Sequence, residues 1–122
     1  MKVTDYYPIF YASDAEAEIK RFTEDLGFSL KHKPNIEFLD YFVLENDNKR
    51  RVDIVCSHFP ADSFKDGFLG VRVNVDDFDE GLVYFKKQGY DIFGDVHENG
   101  SLKTALLTNG GGTYLALFQH KR

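Results

Sequence analysis

Two spacings of apolar residues take turns along the chain. Lys2 to Ala12 alternates, with Tyr6, Tyr7, Ile9, Phe10 and Tyr11 supplying β-favouring bulk, and this predicts a strand. Pro8 removes one backbone donor, which places that strand at an edge or turns its missing N–H away from a ladder. Ile19, Phe22 and Leu26 then fall at i, i+3 and i+7, the apolar face of a helix. Ser13 is the expected N-cap, with Glu16 three residues on as its capping-box partner, and Gly27 is the expected stop. Alternation returns in three predicted strands at 28–33, 37–45 and 51–57, with the turn residues Asn46, Asp47 and Asn48 between the last two.

The same order then repeats. Residues 59–68 hold Pro60, Asp62, Ser63, Asp66 and Gly67 and read as a linker. A strand is predicted at 69–75, with Val71, Val73 and Val75 alternating against Gly70, Arg72 and Asn74. Asp76 or Asp77 caps a second helix, Glu80 completes a capping box, Leu82 and Phe85 give the apolar face, and Gly89 stops it. Strands are expected at 90–93, 101–108 and 113–119. The offset between copies is 62 or 63: Asp14 to Phe22 matches Asp77 to Phe85, and the run closed by His58 matches the run closed by His120. One supersecondary unit has been duplicated, with modules at 1–58 and 69–122 making one structural domain.

Composition narrows the function. At 122 residues, 43% apolar, the chain can build one core. Aromatic content is 16%, with twelve Phe, seven Tyr and no Trp, which suits either dense packing or a cavity for a flat organic ligand. A net charge of −5 and the lack of a basic stripe argue against nucleic acid, and Lys49, Arg50 and Arg51 sit at a solvated turn. A single cysteine, Cys56, excludes an internal disulfide and reads as a small hydrophobe in an apolar run. No apolar run approaches the roughly 20 residues that span a bilayer, and no signal-like start is present, so the expectation is a cytoplasmic protein with no membrane partner. Gly110, Gly111 and Gly112 lead into a strand rather than a helix, so they read as a turn and not as a phosphate loop.

Two β-α-β-β-β units punctuated by Ala12-Ser13-Asp14, Leu26-Gly27-Phe28, Asn74-Val75-Asp76-Asp77 and Thr108-Asn109-Gly110-Gly111 resemble the vicinal oxygen chelate superfamily, which includes glyoxalase I, extradiol dioxygenases and bleomycin-resistance proteins. The resemblance implies an α+β fold in which two tandem βαβββ modules form a curled mixed sheet with helices on its outer face. It also implies a homodimer. In metal-dependent members the ion's ligands come from the first and last strands of each module. The resemblance puts the first-strand ligands seven residues before the helix-opening aspartates, at Tyr7 and Gly70, and a closing-strand ligand at Ala116. The repeat gives Ile54 as the counterpart of Ala116, with Asp53 turned toward the helix side or solvent. These residue types do not make a divalent-metal set, so no metal, no other cofactor and no catalytic residue is expected.

Alternation predicts the residues on the concave face: Tyr7, Ile9 and Tyr11, then Gly70, Arg72 and Asn74, then Tyr114, Ala116 and Phe118. Arg72 is the informative one. A guanidinium among aromatic and apolar groups must be paired, either with an internal carboxylate such as Glu37 or Glu45 or with an anionic or planar ligand. The expected function is a metal-free small-molecule-binding protein of the bleomycin-resistance type, taking a small, partly aromatic ligand at Tyr7, Tyr11, Arg72, Asn74, Tyr114 and Phe118. The alternatives are a glyoxalase-like or dioxygenase-related enzyme with non-standard metal ligands, and an interaction domain with a filled cavity.

Overall fold

A computed structural model describes residues 1–12, 14–36, 39–57, 68–110 and 114–121. Its elements run β1 (Val3–Tyr11), α1 (Ala15–Lys20, continued by a π-helical turn Arg21–Asp25), β2 (Phe28–His32), β3 (Asn35–Ile36), β4 (Leu39–Asn46), β5 (Arg51–Ser57), β6 (Phe68–Val75), α2 (Phe78–Lys87), β7 (Asp91–Glu98), β8 (Leu102–Thr108) and β9 (Tyr114–His120). Residues 59–67 of the expected linker, and Ser13, lie outside the described residues. The chain divides into two compact units, Tyr7–Leu69 and Met1–Tyr6 with Gly70–Arg122, so the division falls inside β1.

In the unit Tyr7–Leu69, β1 pairs in parallel with β5, β5 antiparallel with β4, and β4 antiparallel with β2 and β3. Asp14, rather than Ser13, is the N-cap of α1, its carboxylate accepting from Ala17 N at 3.1 Å. Ala15, Phe22, Leu44, Val52 and Ile54 form the core, with Phe10, Ile19, Phe28, Phe42 and Cys56 packed on it. Phe22 is the hinge of this cluster, meeting Phe10 and Phe28 edge-on at 5.2 and 5.3 Å. Leu26 departs from expectation: it is 53% exposed. The cause is the π-helical turn, where the Thr23 hydroxyl donates back to Ile19 O at 2.9 Å. Each π closure takes one residue more than an α closure, so the stripe set by Ile19 and Phe22 loses phase before Leu26. Gly27 then reverses the chain at φ +77, a conformation costly for a residue with a Cβ.

In the other unit, β6 pairs in parallel with β9, β9 antiparallel with β8, and β8 antiparallel with β7. The first residues of β1 lie along β6, tied by Asp76 N to Lys2 O at 3.1 Å, Lys2 N to Asp76 Oδ1 at 2.7 Å and Thr4 Oγ1 to Asn74 O at 3.3 Å. Asp77 caps α2, accepting from Glu80 N at 3.1 Å, as the sequence predicts. Val73, Val75, Phe78, Ala105, Leu107, Leu115 and Leu117 form the core, with Leu82, Phe85, Tyr90 and Ile92 against it.

The core assignment makes a direct contrast. Phe22→Ala should cost about 3–5 kcal/mol in chemical denaturation, whereas Leu26→Ser should change stability by less than about 0.5 kcal/mol. Equal losses for the two would mean that the helix keeps its α phase through Leu26.

Candidate functional site

The two parallel pairs set which side chains share a face. In β1·β5, Ile9 lies opposite Asp53 and Phe10 opposite Ile54. In β6·β9, Arg72 lies opposite Ala116 and Val73 opposite Leu117. Ile9 and Arg72 correspond at the repeat offset of 63, so the counterpart of Ala116 is Asp53 and not Ile54. This overturns the sequence assignment. Aligning the closing strands on their terminal histidines slips β5 by one residue, and one residue exchanges the two faces of a strand. Val52, Ile54 and Cys56 pack with the α1 core, and Asp53 points the other way. Phe10, Val73, Val75, Leu115 and Leu117 join the helix-side cores as expected, whereas Val71, expected on the same face, is 42% exposed.

Asp53 has 0% exposure and sits in a polar cluster within its unit. Arg51 reaches it with a side-on fork, Nε to Oδ1 at 2.7 Å and Nη2 to Oδ2 at 3.0 Å. The fully buried Tyr41 donates its hydroxyl to the same Oδ2. The Arg51 guanidinium also stacks on Tyr7, its Cζ 3.9 Å from the ring centroid. Burial works against the Arg51 charge, but the hydrogen bonds and the negative charge of Asp53 outweigh it, and the guanidinium is held above its ordinary pKa. Sequence reasoning placed Arg51 in a solvated turn. The signal it passed over is the spacing Arg51–Asp53, two residues on one face of a strand.

The second unit carries the other polar cluster. Arg72 is 4% exposed. Its Nε donates to Asn74 Oδ1 at 2.8 Å, its Nη2 lies 2.9 Å from His120 Nε2, and its Cζ stands 4.0 Å over the Phe118 ring. A guanidinium can only donate, so His120 Nε2 accepts and the imidazole proton sits on Nδ1. Arg72, Asn74 and Phe118 are thus brought together as expected. Tyr114 lies on the same strand face as Phe118 and packs edge-on against Phe93 at 5.6 Å. Tyr7 and Tyr11 belong to the other unit, where Tyr11 is buried and Tyr7 meets Arg51. His120 is exposed at the end of β9. Its alternation with Tyr114, Ala116 and Phe118 puts it on the Arg72 face. Of the carboxylates considered for Arg72, Glu37 lies outside the described residues and Glu45 pairs with Lys49 at 3.8 Å.

Comparison with solved structures gives the same architecture over nearly the whole chain. Methylmalonyl-CoA epimerase from Mycobacterium tuberculosis is 14% identical, with a TM-score of 0.68 over 98% of this chain and 90% of that one. A variant of the Streptomyces coelicolor methylmalonyl-CoA epimerase in complex with 2-nitronate-propionyl-CoA is 14% identical, with a TM-score of 0.66 over 99% and 100%. A glyoxalase/bleomycin resistance protein/dioxygenase superfamily member from Vibrio splendidus is 16% identical, with a TM-score of 0.61 over 96% and 98%. The chain has the vicinal oxygen chelate fold. Neither a protein-family model nor a curated protein sequence matches it.

The vicinal oxygen chelate fold asks for a metal-ligand test at four places, now Tyr7, Asp53, Gly70 and Ala116. Gly70 and Ala116 bring no donor atom, Tyr7 brings a phenol, and both oxygens of Asp53 are engaged by Arg51 and Tyr41. Three or four good donors are needed, and among the described residues no group of three His, Cys, Asp or Glu comes together. The residues do not fit a divalent ion.

Removing Arg51 would strand a buried carboxylate. Arg51→Met should cost about 3 kcal/mol at neutral pH, and Arg51→Met with Asp53→Leu should recover most of that loss. Urea titrations of the two variants check this, and a double variant no better than the single one would show that the pair is not the cause.

Proposed function

We propose that the chain is a metal-free small-molecule-binding protein of the glyoxalase/bleomycin-resistance type, cytoplasmic and homodimeric, whose ligand is small, partly aromatic and anionic. Arg72, Asn74, Tyr114, Phe118 and His120 form its recognition face, and Tyr7 and Tyr11 line the corresponding face of the other unit.

The observation that carries this reading is the orientation of Arg72. Its cation is withdrawn from solvent, yet Nε and Nη2 are directed by neutral acceptors, Asn74 and His120. These two acceptors fix the guanidinium plane, and a guanidinium held in one plane suits a carboxylate or another planar anion. Phe118, buried beneath the guanidinium, holds its plane from the ring face. Solved proteins of this fold support small-molecule binding, one being methylmalonyl-CoA epimerase in complex with methylmalonyl-CoA. Among the described residues no helix is long and apolar enough to cross a membrane. The metal-free part of the reading rests on the donor set: two of the four ligand places carry no donor and a third is spent on Arg51.

A thermal-shift screen of aromatic carboxylates should find ligands that stabilise the protein, by roughly 2.7 kcal/mol at 100 times Kd. Arg72→Gln should abolish the shift, while Tyr84→Ser on the exposed side of α2 should keep it. An unchanged shift in Arg72→Gln would remove Arg72 from the site. Elemental analysis of protein purified without chelator should give far less than one metal per chain, and a stoichiometric divalent ion would overturn the metal-free reading.

A further inference from the structure

The position where the fold's metal-dependent members bring a carboxylate to their ion is held here by Asp53, and a cation is already bonded to it. That cation is Arg51. The fork to Asp53 uses Nε–H and one Nη2–H of the five N–H groups on the guanidinium. Three remain: both on Nη1 and the second on Nη2. One on each of Nη1 and Nη2 shares the end-on edge of the group, adjacent to the edge that holds the buried carboxylate. The Arg51 side chain is 26% exposed while Asp53 is fully buried, so the arginine is the solvent-facing member of the pair. Asp53 and the Tyr7 ring hold the guanidinium from two sides, edge and face, which limits its rotamers before any ligand arrives.

We propose that Arg51 is a resident cation standing in for the metal, and that its free end-on edge binds a planar carboxylate beside Tyr7. This is a second oxyanion site, independent of the Arg72 face. The ligand carboxylate takes two hydrogen bonds from Nη1 and Nη2, and the guanidinium lies between it and Asp53. Asp53 cancels part of the long-range attraction, so recognition rests on bidentate geometry rather than on net charge. A lysine has no such fork, and Arg51→Lys keeps the charge that Asp53 needs.

The test uses benzoate as the probe and sodium chloride at matched ionic strength as its control. In protein with nitrogen-labelled arginine, assigned with Arg51→Lys and Arg72→Lys, the Arg51 side-chain resonances should move and saturate with benzoate but not with chloride. Arg51→Lys should weaken binding at this site about tenfold, read from tyrosine fluorescence, as expected for losing one charge-assisted pair. Arg51 resonances that stay fixed while those of Arg72 move would overturn this site and leave the Arg72 reading standing. Movement at Arg51 alone would support this site and count against Arg72. Fixed resonances at both, or undiminished binding by Arg51→Lys, would overturn the proposal for planar carboxylates.

Discussion

The side-chain alternation of paired strands is the constraint from which everything else here follows. A strand presents each residue to one face only, and its neighbour locks the choice through backbone hydrogen bonds. The parallel pairs β1·β5 and β6·β9 put Ile9 beside Asp53 and Arg72 beside Ala116. Once those registers are set, the apolar residues of each unit fall under its helix and the polar ones are driven to the opposite face. The location of both arginine clusters is therefore a by-product of core formation, since the same hydrogen bonds that bury Ile54 and Leu117 decide where Asp53 and Arg72 point.

The two clusters solve one problem in different ways. A guanidinium withdrawn from water needs hydrogen-bond acceptors. Arg51 finds a carboxylate, so its unit contains a compensated ion pair. Arg72 directs two of its nitrogens to an amide and an imidazole. The carboxylate gives Arg51 a charge-assisted fork, and the amide and the imidazole give Arg72 a fixed orientation. Asp53 and Ala116 stand at one equivalent place, a carboxylate in one copy and a methyl group in the other.

Much of this could be read in the sequence. The duplication, both helices, the turn at Asn46, the α2 cap at Asp77 and the apolar–polar sidedness of β1, β6 and β9 are local patterns, and local patterns survive folding. The grouping of Arg72, Asn74 and Phe118 was legible for the same reason. What was not legible depended on register across strands far apart in sequence. Nothing local distinguishes an offset of 62 from one of 63 in an apolar run, and the two histidines that end the runs favoured the wrong choice. Arg51 was hidden by its neighbours, because Lys49 and Arg50 made it look like part of a solvated turn. Leu26 was hidden by a change of pitch, since residues Arg21–Asp25 close as a π-helical turn and not an α-helical one.

The division of the chain inside β1 bears on synthesis. Residues up to Tyr6 belong with Gly70–Arg122, and Lys2 is bonded to Asp76, 74 positions later. On the ribosome the unit Tyr7–Leu69 can pair all its strands as soon as β5 has emerged. The other unit is discontinuous: its first strand segment is translated early and must wait, unpaired, until β6 leaves the exit tunnel. That segment carries Val3 and Tyr6 next to Pro8, and a proline beside an orphaned edge limits what a stray strand can add to it.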